Sequence, residues 1–333
     1  MSLEIKKWEE IERNFTDCTL LIGNGASMAI DSRFGYGSLI EHAKKYELMK
    51  EDVNSLFDFF ETYDFELILR LVWQSTNINK ALSIHDYKTK HAYKHVRHCL
   101  IDTVRSIHPE FQEVSDQIPQ LYNFIKKFKT VLSLNYDLIL YWAVMYGQSQ
   151  RDNHEVKDCF VSGKFDEDWR RFREPLRPTN NTTLVFYPHG SLILCRDRIE
   201  SEYKIITRRD SINLLESILV EWNSEKYVPI FVSEGTTEQK VNSIKNSNYL
   251  NTVYREVLTS IGRKLVIYGW NIGEHDMHIL HRIAQSGVKE VAISVYKNDH
   301  AYCYRIKQIV EEKLGRDVCV CFFDSLSSNC WNN

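Results

Sequence analysis

Four short polar motifs, each directly after an apolar run, hold most of the chemistry open to this chain. The first is Gly23-Asn24-Gly25-Ala26-Ser27, after Leu20-Leu21-Ile22. Glycines let backbone N–H groups approach an anion, and a helix starting at Ala26 or Ser27 aims its positive end there. The stretch therefore reads as a phosphate-cradling turn, with an ordinary turn as the alternative. The second is Ser133-Leu134-Asn135-Tyr136-Asp137. Its Asn offers a donor and an acceptor and its Asp a fixed negative charge, although either residue could instead cap the helix that follows. The third is Tyr187-Pro188-His189-Gly190-Ser191, a histidine held between proline and glycine. Imidazole is the side chain whose ordinary pKa suits acid–base work near neutrality. The fourth, Tyr268-Gly269-Trp270-Asn271, presents Asn271 to a ligand hydroxyl or phosphate, and Asp276 further on reads as the N-cap of a helix from Met277. A fifth polar turn, Ser233-Glu234-Gly235-Thr236-Thr237, is a weaker instance of the same pattern.

The elements that must position these motifs alternate along the chain. Short β-rich runs at Cys18–Ile22, Thr130–Leu134, Thr183–Tyr187, Val228–Val232, Lys264–Tyr268, Glu290–Val295 and Val318–Phe323 have the length and turn boundaries of buried strands. Helical patterns at 249–261, 277–286 and 300–314 separate the later ones, and in the last of these Ile306 falls off the apolar face. Strands alternating with helices predict an α/β fold, Rossmann-like and three-layered, with a mostly parallel central sheet. Residues 39–128 have little strand signal and read as a large helical insertion after the first strand. Residues 148–181 are polar and weakly periodic, which predicts a surface loop region with a short helix around 167–172. The whole chain, 1–333, reads as a single domain. In an open parallel sheet ligands bind outside the carboxyl ends of the strands, where all four motifs fall.

Composition excludes several classes. A formal net charge of -3 on 333 residues gives no general nucleic-acid-binding surface, and Arg170-Arg171-Phe172-Arg173 reads as a solvated helix face. The eight cysteines form no C-x-x-C pair, which argues against a zinc ribbon and against a disulfide framework. His91, His95 and His98 have helical spacing, but without a carboxylate partner they read as a hydrated helix face. No apolar run approaches the roughly 18 residues of a membrane span and Met1–Glu10 has no apolar signal core, so a cytoplasmic protein is expected.

Taken in order, the motifs resemble those of the sirtuin-like NAD-binding family, and more closely its bacterial members without a zinc module than the histone-type deacylases. Gly23, Gly25 and Ser27 match the family's glycine loop, Asn135 and Asp137 its Asn-x-Asp, His189-Gly190 its His-Gly, and Gly269 the start of its fourth motif. Phe65-Glu66 with Leu69 is similar to a helical motif of the wider group. Departures accompany the match. Asn24 and Asn271 stand where the family has alanine and serine, Asp31, Arg33 and Phe34 only loosely echo its Pro-Asp-Phe-Arg, and the four zinc cysteines are missing.

The resemblance implies NAD as substrate, no metal, and scission of the nicotinamide–ribose bond through an oxocarbenium-like state. It gives His189 the part of general base and Asn135 that of orienting water or ribose. Asp137 would hold the nicotinamide side, Gly23, Asn24, Gly25, Ala26 and Ser27 would cradle the pyrophosphate beside Gly190 and Gly269, and Asn271 would meet the adenine-side ribose. Water as acceptor makes the expected products ADP-ribose and nicotinamide. The resemblance further implies bacterial anti-phage defence, a homo-oligomer and a defence-system partner protein. The alternatives are a non-catalytic sensor of NAD or an ADP-ribose-like nucleotide, a deacylase or ADP-ribosyltransferase, which the cysteine pattern disfavours, and a helical interaction protein on an inert scaffold.

Overall fold

Apolar runs too short for helices become strands covered on both faces. All four positions of Thr19–Ile22 and of Thr130–Ser133 are buried. Leu20, Leu21 and Ile22 are at most 1% exposed, each burial stabilising by roughly 1.5–3 kcal/mol. The computed structural model describes residues 3–35, 37–150, 152–178, 180–206, 214–232 and 234–333. Its strands are β1 (Ile5–Lys6), β2 (Thr19–Ile22), β3 (Thr130–Ser133), β4 (His154–Lys157), β5 (Phe160–Val161), β6 (Lys164–Phe165), β7 (Asn181–Phe186), β8 (Gly190–Arg196), β9 (Glu202–Lys204), β10 (Val228–Phe231), β11 (Lys264–Tyr268), β12 (Glu290–Val295) and β13 (Cys319–Asp324).

Eight of them form the central sheet in the order β1-β13-β12-β11-β2-β3-β7-β4, and each pairing is parallel. With helices flanking it, this is the expected Rossmann-like α/β architecture. The helical insertion follows β2, the second strand, because the two-residue edge strand β1 is too short to read from sequence. The helices Leu39–Lys45, Glu51–Phe59, Phe65–Ala81, Tyr87–Ile107, Phe111–Val114 and Ile118–Ile125 all lie between β2 and β3. Their starts are set by short polar side chains: Ser38 accepts from Glu41 N–H, Asp64 from Leu67 N–H, and Asp86 from Lys88 and Thr89 N–H.

Three details differ from the sequence expectation. Val228–Phe231 does not join the parallel sheet but pairs antiparallel with β8 in a small sheet ordered β10-β8-β9. The stretch 148–181 contains edge strand β4, the β5–β6 hairpin and a 3-10 turn at Trp169–Arg173. Strand β4 buries only Val156, so it carries almost no apolar signal. In the helix His300–Lys313 the buried stripe is Cys303, Ile306 and Val310, which places Ile306 on the core face and leaves Tyr304 half exposed. Among the described residues no helix is long and apolar enough to cross a membrane.

Candidate functional site

The four motifs follow β2, β3, β7 and β11, which are neighbours in the sheet in the order β11-β2-β3-β7. Because these strands are parallel, their carboxyl ends share one edge. From β2 the chain continues to β3 on one side, while β11 lies on the other, so the motifs flank a topological switch point. A cavity of 1090 Å³ opens there. Gly23, Asn24 and Gly25 line it from β2, Asn135 and Asp137 from β3, His189 from β7, and Gly269 and Asn271 from β11. Ala26, Ser27 and Gly190 are buried and do not line it.

The glycines are required by one another. A Cβ on Gly23 would lie 2.6 Å from Trp270 Cα, and one on Gly25 2.8 Å from the Gly269 carbonyl oxygen. Gly269 itself has φ +66° and its added Cβ would meet Ala26 N at 2.3 Å. The first and fourth motifs thus pack backbone to backbone. Two N–H groups of the first motif are used in the same contact, Gly23 donating to Tyr268 O at 2.9 Å and Gly25 to Gly269 O at 2.7 Å, while Ala26 donates within the loop to Gly23 O at 2.9 Å. Three of the N–H groups expected to face an anion, those of Gly23, Gly25 and Ala26, are therefore engaged inside the protein. Asn24 donates its side-chain amide to Phe34 O at 3.0 Å, clasping the 3-10 turn Ser32–Gly35. Gly190, at φ +78°, sits where a Cβ would lie 2.3 Å from Ile230 O, so it serves the β8–β10 contact.

Asn135, Ser27 and Asp137 form one buried network. Asn135 Nδ2 donates to Gly23 O at 3.0 Å and to Ser27 Oγ at 2.7 Å, and Ser27 Oγ donates to Asp137 Oδ2 at 2.5 Å. Asp137 Oδ1 accepts from Ile139 N–H at 2.9 Å, at the start of the helix Ile139–Ser149. The capping reading of Asp137 and its place on the cavity wall hold together. Burial pushes the Asp137 carboxyl up to about 6, against the pull of Ser27 and Ile139. Asn135 Oδ1 has no hydrogen-bond partner among the described residues, which leaves it available to a ligand.

His189 and Asp276, which line the cavity, belong to a cluster that continues behind it through His278. His189 and His278, 3% and 2% exposed, bring their Nε2 atoms within 3.0 Å with the rings stacked. Burial brings His189 down to about 3 and His278 down to about 4, so both rings are neutral at physiological pH. Asp276, read as an N-cap, makes no cap bond. Its Oδ1 accepts from Lys240 Nζ at 2.8 Å and its Oδ2 from Trp270 Nε1 at 3.4 Å. Burial opposes its charge, but His189, Lys240 and His278 together hold the carboxyl at about 2. His278 and Lys240 were missed. Asp276-x-His278 at the start of the helix after β11, and Lys240 one turn before buried Ile244, were the available signals.

The fifth motif also reaches the cavity, although Ser233 is outside the described residues. Glu234 accepts from Leu39 N–H, joining the end of β10 to the first helix of the insertion. Burial pushes its carboxyl up to about 7. Exposed Asn271 accepts from Arg305 at both its backbone oxygen (2.9 Å) and its Oδ1 (2.5 Å). Lys44 adds a cation to the cavity wall. The helical histidines lie apart, with His95 bonded to Asp52 at 2.6 Å.

No curated protein matches the chain. Among solved structures it is similar to a chain described as "Structural Basis for the Mechanism and Regulation of Sir2 Enzymes", at 10% identity and a TM-score of 0.34, covering 86% of this chain and 82% of that one. A likeness of that size assigns no residue a role. The sequence profile of one family, however, matches residues 20–331. The chain belongs to the family described as Domain of unknown function (DUF4917).

Proposed function

We propose that the cleft binds NAD and hydrolyses its nicotinamide–ribose bond. The observation that carries this reading is the meeting of four strand ends on one cavity with His189 at its floor and Asn135 Oδ1 beside it. The C1′–N bond breaks, its electron pair leaving with nicotinamide, and a water oxygen bonds to C1′ of the oxocarbenium-like ribose. The water proton passes to the His189 imidazole, whose Nε2 has to part from His278 Nε2, 3.0 Å away, to accept it. The ring is neutral at pH 7; burial, which brings it down to about 3, weakens it as a base, and the Asp276 carboxylate works against that by favouring the imidazolium. Asn135 Oδ1 orients the water or a ribose hydroxyl.

Asp137 and Ser27 act through the loop, because their polar atoms are engaged with each other. The pyrophosphate draws on Lys44 and on cavity-lining side chains in place of the engaged glycine-loop N–H groups. Asn271 and Gly269 form the wall on the adenine side. From the family resemblance we add a homo-oligomer and a setting in bacterial anti-phage defence.

The test is release of nicotinamide and ADP-ribose from NAD by the full chain, beside His189→Ala and Asn135→Ala. Release by the wild type and at least about 100-fold less by His189→Ala is expected for loss of a general base. Release that His189→Ala leaves unchanged refutes the assignment. NAD binding without release by any concentration of the wild type favours the sensor reading.

A further inference from the structure

We propose that His189, Asp276 and His278 form a binding site for a divalent first-row transition cation of the zinc type. One ligand atom from each lies within 4.8 Å of the other two, the one such grouping of His, Cys, Asp and Glu among the described residues. The missing zinc cysteines predict no metal, whereas these three residues, two after β11 and one after β7, come together only in the fold.

The geometry suits a cation. Zinc binds imidazole nitrogen at about 2.0–2.1 Å, so two such ligands at a tetrahedral angle stand about 3.4 Å apart. The Nε2 atoms of His189 and His278 are 3.0 Å apart, a few tenths of an ångström short of that spacing. Asp276 supplies an oxygen from the same wall. Its Oδ1 is held by Lys240, which leaves Oδ2, in only a long contact with Trp270, to turn toward the rings. Two imidazoles and a carboxylate are a borderline donor set that suits zinc and its neighbours over calcium or magnesium.

The surroundings of the rings make the stronger argument. Histidines that bind a metal through Nε2 usually present Nδ1–H to a carbonyl or carboxylate, which fixes the tautomer. His278 Nδ1 nevertheless makes no hydrogen bond of full geometry and is a buried orphan. The Nε2 atoms face each other at 3.0 Å, so without a metal one neutral ring has to donate Nε2–H to the other and leave its own Nδ1 without a proton. A Lewis acid between them removes that need.

His189 and Asp276 both line the cavity, so the remaining coordination positions open toward solvent and ligand. The Lys240 charge beside the carboxylate weakens cation binding relative to sites with three imidazoles, so a chelator strips the metal readily. The cation takes the lone pair that His189 uses as a base. Zinc therefore inhibits NAD cleavage, a consequence that rests on the reading given under Proposed function. Binding itself does not depend on that reading.

The test uses the full chain after EDTA treatment and dialysis, titrated with Zn²⁺ alone by calorimetry and with Co²⁺ by visible absorption. One equivalent is expected, with affinity at least about 10-fold lower in His278→Ala. Equal affinity in that variant overturns the site. Should His278→Ala fail to fold, X-ray absorption at the zinc edge of the wild type reads the ligands directly. Two imidazoles with oxygen are expected, whereas sulfur from exposed Cys319, or oxygen alone, overturns the proposal. NAD cleavage without zinc binding sinks this inference and leaves the enzymatic reading standing. Zinc binding without NAD cleavage does the reverse.

Discussion

Ser27→Ala tests whether the glycine loop and the Asn-x-Asp motif hold each other. The hydroxyl donates to Asp137 Oδ2 at 2.5 Å and accepts from Asn135 Nδ2 at 2.7 Å, and Ser27 is only 1% exposed. A hydrogen bond to a charged group contributes about 1.5–3 kcal/mol, and leaving a buried partner unmet costs about 1–3 kcal/mol. The expected loss is therefore about 2–4 kcal/mol at pH 8. It depends on pH with a definite sign. Burial already raises Asp137 from 3.8 to about 6, so its ionisation lowers stability as pH rises through that window. Ser27 opposes that rise, and its removal pushes the carboxyl higher still. The penalty is then largest above pH 6 and shrinks to about 1 kcal/mol at pH 4, where Asp137 is protonated with or without Ser27. Urea unfolding at pH 4 and pH 8, with the double-mutant cycle to Asp137→Asn, measures both quantities. A loss below about 0.5 kcal/mol at both pH values, with no coupling to Asp137, would show that the network is not what holds the loop.

Two further outcomes follow from the same geometry. Gly269→Ala forces a left-handed φ of +66° onto alanine and drives its Cβ against Ala26 N, so a loss of about 2–4 kcal/mol is expected in denaturant unfolding. A loss under about 1 kcal/mol contradicts the backbone packing described here. Glu234→Gln keeps an acceptor for Leu39 N–H and removes a charge that burial disfavours. The wild-type Tm is expected to fall relative to the variant as pH rises from 4.5 through 7, because the folded state binds the Glu234 proton more tightly than the unfolded chain. A Tm difference that does not vary between pH 4.5 and 8 refutes this.

The inner strands β2, β3, β11 and β12 were legible because each is a short apolar run buried on both faces, and Lys264–Tyr268 and Glu290–Val295 match to the residue. Strand β4 was not, because an edge strand with only Val156 buried looks like loop. Motif positions were legible for a topological reason, since residues after parallel strands must share one edge. Their partners were not. That Gly25 and Gly269 exist for each other, or that Asp137 turns to Ser27, depends on contacts between segments more than a hundred residues apart. Asp276 shows the limit most clearly. Local sequence offers a helix cap, while the fold offers Lys240 and Trp270, and the side chain takes the latter.

The central claim is that four strand ends make one nucleotide site. Hydrogen–deuterium exchange of the full chain with and without NAD tests it most directly. Protection is expected together in segments 23–27, 134–137, 187–190 and 269–276. Protection instead at a separate cavity lined by Lys204 and Tyr227, or at none of the four strand ends, contradicts the account.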